Sequence, residues 1–261
     1  MPEGDTVWRA ARLLDRALSG STLTATDFRV PAYATWDLAG ATVSETVSRG
    51  KHLLTRIDGD ARWTLHTHLK MEGGWRVLRP GTRWPRPAHT VRVVLTTADA
   101  EAVGFALGLV EIVPRDREPE LVGHLGPDLL GPDWDPEEAT RRLREQPDRT
   151  VKEALLDQTR LAGIGNMYAS ELCFVTGVAP ERRVADVPDL RRMVDRAHQL
   201  LDLNRHRAQQ STTGDLARGR QFWVYGRAGQ PCRRCGTPIR QTMLGDAGRE
   251  RTTFACPRCQ P

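Results

Sequence analysis

Four cysteines near the C-terminus constrain this chain more than any other feature. Cys232 and Cys235 form one Cys-x2-Cys pair and Cys256 and Cys259 a second, with residues 236–255 between them. Four thiolates at this spacing suit a tetrahedral zinc ion gripped by two tight turns, with metal–sulfur distances of about 2.3 Å. One structural Zn2+ per chain is expected, because four thiolates leave no coordination position for a water nucleophile. Between the pairs, Gly236-Thr237-Pro238-Ile239 and Thr252-Thr253-Phe254-Ala255 read as the strands of a hairpin, with a tip around residues 245–251. Arg233, Arg234, Arg240, Arg249, Arg251 and Arg258 tilt this finger towards phosphate. The fifth cysteine, Cys173, lies in the apolar run Leu172-Cys173-Phe174-Val175 and is expected to be a buried thiol.

Pairs of cysteines used this way belong to a reducing compartment, and a cytoplasmic protein is expected. Glu3 and Asp5 interrupt the N-terminus before a secretory apolar run could form. No window approaches the roughly 18 apolar residues of a membrane span. Lys and Arg outnumber Asp and Glu by 38 to 33, for a formal charge of +5, which favours a polyanionic partner without identifying one.

At 261 residues the chain is long enough for two domains. Val7, Ala11, Leu14 and Leu18 recur at helical spacing and Gly20 stops the helix. Short β-like runs follow at residues 41–47, 52–57, 62–66, 75–78 and 91–96, separated by Gly, Pro and Asp turns. They predict an antiparallel β-sandwich with a leading helix over residues 1–115. Pro, Gly and charge dominate residues 116–134, which read as an interdomain linker. Asp135-Pro136-Glu137-Glu138 then opens a helical domain, 135–225, with a capping residue and a proline at the first helical position. The finger occupies residues 226–261, so the fold class is α+β.

Two further motifs carry chemistry. Removal of Met1 would turn Pro2 into a secondary amine beside the carboxylate of Glu3. An α-amine has a reference pKa near 8 against about 10.4 for lysine, so more of it is unprotonated at neutral pH. Leu161-Ala162-Gly163-Ile164-Gly165-Asn166, between two helical stretches, forms a turn whose glycines let the backbone approach a phosphate at a helix N-terminus.

Taken in order, these segments resemble the formamidopyrimidine-DNA glycosylase/endonuclease VIII family from end to end. Pro2-Glu3-Gly4 resembles its N-terminus, and Ser48-Arg49-Gly50-Lys51-His52-Leu53-Leu54 its catalytic-lysine strand. Asp157-Gln158 with Gly163-Ile164-Gly165-Asn166 resembles its helix-two-turn-helix, and residues 251–260 its zinc finger. The resemblance implies a bacterial, monomeric base-excision-repair enzyme of the nucleoid, acting on duplex DNA with an oxidised base or abasic site. It implies Pro2 as Schiff-base nucleophile, Glu3 as general acid/base, Lys51 as second proton donor and phosphate contact, and Arg251 as the finger residue assisting the later elimination. Asn166 is expected at the phosphate flanking the lesion, with Lys152 as a further DNA contact. His68-Leu69-Lys70-Met71-Glu72-Gly73 resembles the void-filling loop, with Met71 as the apolar wedge that replaces the extruded base.

Three departures bear on the substrate. Thr6 stands where many relatives carry an acid, residues 103–108 (Val-Gly-Phe-Ala-Leu-Gly) lack the arginine that probes the opposite base in guanine-directed relatives, and residues 213–220 are shorter than the lesion-covering loop of that branch. They favour the endonuclease VIII branch and oxidised pyrimidines. A lyase confined to abasic sites and a non-catalytic DNA-binding module remain the alternatives at this point.

Overall fold

The computed structural model describes residues 2–248 and 250–261. Met1 and Arg249 lie outside the described residues, and with them the processing of the N-terminus and the phosphate contact expected at Arg249. The chain divides into two units, one ending at His124 and the other running from Leu125 to Pro261.

In the first unit the helical repeat becomes α1 (Gly4–Leu18), with Val7, Ala11, Leu14 and Leu18 buried on one stripe. Eight strands follow: β1 (Ala25–Phe28), β2 (Thr42–Arg49), β3 (His52–Asp58), β4 (Arg62–His68), β5 (Gly74–Leu78), β6 (Val91–Thr96), β7 (Glu101–Phe105) and β8 (Leu109–Pro114). They pair antiparallel into two four-stranded sheets, ordered β2-β3-β4-β8 and β1-β6-β7-β5. Leu53, Ile57, Leu65 and Ile112 from the first sheet share a core with Trp75, Val93, Leu95 and Ala102 from the second and with the stripe of α1. Each fully buried leucine there contributes about 1.5–3 kcal/mol relative to exposure.

The second unit is helical. Asp135 caps α3 (Pro136–Arg144) by accepting from the amides of Glu137 and Glu138, Thr150 caps α4 (Val151–Leu156), and Asp189 caps α6 (Leu190–Arg205). Between them α5 (Asn166–Thr176) buries every residue from Met167 to Phe174, so it runs through the core rather than along the surface, and Gly177 ends it at φ 72°. The finger hairpin packs on its far end, where Phe174 meets Val224, Ile239, Phe254 and the cysteines.

Two expectations fail here. Residues 116–134 are not a linker: α2 (Glu118–Val122) belongs to the first unit, its Glu118 taking hydrogen bonds from Arg56 and Thr64, while Leu125 and Leu129 are core residues of the second. The polar composition reflects a short surface helix, not a free segment. The first finger strand is also displaced. It is β9 (Arg240–Leu244), paired with β10 (Arg251–Ala255), whereas residues 236–239 close the metal turn through Gly236 N to Cys232 O and Cys232 N to Thr237 O. Among the described residues no helix is long and apolar enough to cross a membrane.

Candidate active site and nucleic-acid interface

Pro2 is half-buried directly ahead of α1, and Glu3 occupies the N-cap position, where its carbonyl accepts from the amides of Thr6 and Val7 at 2.9 and 3.0 Å. The side chains of Glu3 and Asp5 are both fully buried. Sequence reading marked Thr6 as a missing acid and overlooked Asp5, which places a second carboxylate in the first helical turn. Lys51 stands half-buried in the β2–β3 turn after Gly50, whose φ of 57° suits glycine.

Behind Lys51 lies a histidine cluster that sequence reading did not single out. His52 Nδ1 meets His66 Nε2 at 2.8 Å, and His66 Nδ1 meets Glu111 Oε2 at 2.9 Å. His68 and His124 stand edge-on to His52. Burial, then repulsion from neighbouring His and Lys side chains, lowers His52 to about 3 and His68 to about 4, so both rings are neutral near pH 7. The signal was available in register: His52 pairs with His68, and His66 with Glu111, putting all four on one sheet face.

Met71 is 66% exposed at the tip of the turn after β4. That turn is stiff: Lys70 sits at φ 52°, Gly73 N donates to Leu69 O, and a Cβ at Gly73 would lie 2.4 Å from that oxygen. An exposed thioether on a rigid turn is well suited to wedge between bases. Phe105, in the segment lacking the arginine, is fully buried and presents no aromatic probe at the surface.

In the second unit Gln158 braces the glycine turn, its Nε2 donating to Leu156 O and Ile164 O while its Oε1 accepts from Gly163 N. Gly163 requires its φ of 109°, and Gly165 gives α5 no side-chain cap. Asn166 Nδ2 donates to Thr252 O at 2.9 Å. Lys152, expected at DNA, is only 1% exposed. Its Nζ donates to the same Thr252 O at 2.9 Å and to Thr253 Oγ1 at 2.6 Å. As placed it cannot meet a phosphate, and its work is internal. Arg251 is exposed at the start of β10. Arg240 and Arg258 are also exposed, but Arg233 is tied to Phe222 O and Gly219 O, and Arg234 stacks over Phe174 at 4.6 Å. Both are exposed, yet these contacts tie them to the finger.

Glu171 on α5, also missed, is fully buried. It accepts from the amides of Trp223, Val224 and Tyr225, each at 2.8 Å, and from the Thr212 hydroxyl. This carboxylate fixes the segment leading into the finger.

The sulfurs of Cys232, Cys235, Cys256 and Cys259 all lie within 4.8 Å of one another, with Cys232–Cys259 at 3.9 Å and Cys235–Cys256 at 3.5 Å. A tetrahedron with bonds of about 2.3 Å has edges of about 3.8 Å, so the four residues fit a metal ion. Cys173 is apart from them, buried, and pushed up to about 12 by that burial.

Residues 1–106 match the formamidopyrimidine-DNA glycosylase N-terminal domain, and residues 125–212 its H2TH domain. The chain belongs to the formamidopyrimidine-DNA glycosylase family, in its endonuclease VIII-like branch. It is 55% identical over 263 residues, 100% of this chain and 94% of the relative, to a probable endonuclease 8 2 of Streptomyces coelicolor. It is 54% identical over 260 residues, 100% and 99% of the two chains, to a Mycolicibacterium smegmatis protein named DNA-(apurinic or apyrimidinic site) lyase Nei2. A solved complex of Lactococcus lactis Fpg with DNA containing an abasic site matches all of both chains with a TM-score of 0.82 at 25% identity.

Proposed function

We propose that this chain is a bifunctional DNA glycosylase/AP lyase of base excision repair, working as a bacterial cytoplasmic monomer on damaged duplex DNA. The observation that carries this reading is the N-terminus: a half-buried Pro2 followed by the wholly buried carboxylate of Glu3. The secondary amine of processed Pro2 attacks the sugar C1′ and gives up its proton, the C1′–base bond breaks, and the C1′–O4′ bond opens to leave an iminium, with Glu3 protonating O4′ or the departing base. The resulting iminium draws electrons from C2′, whose proton is lost to a base as the 3′ phosphate leaves. Removal of the C4′ proton then expels the 5′ phosphate and completes β,δ-elimination, with Arg251 assisting. Lys51 supplies a second proton and holds backbone phosphate, Asn166 approaches the flanking phosphate, and Met71 fills the space left by the extruded base. The four cysteines hold one zinc ion that shapes the finger.

Oxidised pyrimidines are the preferred lesions, since the buried Phe105 leaves residues 103–108 without an exposed probe of the opposite base. Cleavage of thymine-glycol, dihydrouracil and 8-oxoguanine duplexes tests this directly. Preference for the two pyrimidines supports it, and preference for 8-oxoguanine opposite cytosine overturns it. A second reading, lyase activity on abasic sites without base excision, draws support from the name of the Mycolicibacterium relative. It would show as cleavage of the abasic duplex alone.

A further inference from the structure

Buried lysines are ordinarily paired with a carboxylate or excluded, because desolvating an ammonium is costly. Lys152 breaks that rule. At 1% exposure its hydrogen bonds run to a carbonyl, Thr252 O, and a hydroxyl, Thr253 Oγ1. Burial lowers its pKa to about 8, with Cys173 and Glu181 the acidic groups that offset this effect.

The partners explain the expense. Among the described residues strand β10 has β9 as its single strand neighbour, so one of its edges would otherwise be open. Lys152 from α4 and Asn166 from the start of α5 both dock there, sharing Thr252 O at 2.9 Å each. The Thr253 hydroxyl that Lys152 approaches donates in turn to Arg251 O at 3.1 Å. Lys152 is thus bonded to the carbonyl following Arg251 and, through one hydroxyl, to that of Arg251 itself.

We propose that Lys152 and Asn166 form a clamp that positions Arg251, tying the finger arginine to the helix N-terminus at the glycine turn, so that Lys152 is a positioning residue for strand cleavage. This rests on the role given to Arg251 above. Replacing Lys152 by methionine orphans neither partner, since Thr252 O keeps Asn166 and Thr253 Oγ1 keeps Arg251 O, so the fold should tolerate it and a positioning role shows instead in the elimination products.

The experiment uses full-length protein with its metal and a duplex carrying one abasic site, and compares wild type, Lys152→Met, Thr253→Val, Arg251→Ala and Lys152→Met/Arg251→Ala. Metal content, Tm, borohydride-trapped adduct and the ratio of δ- to β-elimination product are measured. Lys152→Met should keep its metal, match or exceed wild-type Tm and still trap. Its δ/β ratio should fall about tenfold to a hundredfold, the range up to what a 1 Å misplacement of a reacting group costs. Thr253→Val should lower the ratio in the same direction, and Lys152→Met should have no further effect once Arg251 is alanine. A fall in Tm or metal content matching the fall in activity would overturn the clamp, as would additive effects in the double variant. An unchanged ratio in Lys152→Met beside a crippled Arg251→Ala sinks the clamp alone; a wild-type-like Arg251→Ala sinks the reading of Arg251 and the clamp's purpose with it.

Discussion

Replacing Glu171 by glutamine exchanges one carboxylate oxygen for an NH2 while leaving the shape of the side chain almost unchanged. Burial raises this carboxyl above the ordinary range, an effect that the Thr212 hydroxyl and three backbone amides offset only in part. Four donors converging on two oxygens describe the ionised form. In Glu171→Gln the best arrangement keeps the oxygen serving Val224 and Tyr225, and the Thr212 hydroxyl rotates to accept. The Trp223 amide then faces another donor. An orphaned buried N–H costs about 1–3 kcal/mol, and two charge-assisted bonds reduced to neutral strength lose about 1 kcal/mol each. The total is about 3–5 kcal/mol, or roughly a 10–15 °C drop in the Tm of a unit of this size. Calorimetry should show the loss in the transition of the second unit, with Glu171→Ala lower still. A Glu171→Gln protein within about 1 kcal/mol of wild type would refute the reasoning, since that requires a carboxyl already protonated in the fold.

Leu14→Ala should destabilise the first unit by about 2–5 kcal/mol in denaturant unfolding, as the side chain is wholly buried between α1 and the sheets. Met71→Ala should leave Tm unchanged, because the side chain is exposed, yet weaken base extrusion reported by 2-aminopurine fluorescence beside the lesion. His52 and His68 have folded pKa values below the unfolded value of 6.5, so between about 3 and 6.5 the unfolded chain binds more protons and stability falls as pH drops through that window. Urea midpoints from pH 7 to 4.5 should fall, less steeply in His52→Gln/His68→Gln. Stripping the metal should speed amide exchange around Cys232 and Cys256 while α1 stays protected.

The elements legible in the sequence were those whose signal is local. The stripe of α1, the strands from Thr42 to Leu78 and Val91 to Thr96, the Asp135 cap and the four cysteines need only periodicity, turn residues or spacing. β7 and β8 were missed because Ala106-Leu107-Gly108 joins them without a polar break, and β1 because its four residues carry little periodic signal. Lys152 was read outward because lysine beside a glycine turn suggests phosphate, whereas its partners lie about 100 residues away in sequence. Glu171 and the His52–His66–Glu111 chain were hidden for the same reason, their meaning lying in long-range contacts.

The central claim is that Pro2 forms the covalent intermediate, and borohydride trapping tests it most directly. The purified protein is incubated with a thymine-glycol duplex, reduced, and the adduct located by mass spectrometry. The account expects the adduct on Pro2, absent from Pro2→Gly and from a form that retains Met1. An adduct on a lysine, or tight DNA binding with no adduct on either the lesion or an abasic duplex, would contradict it.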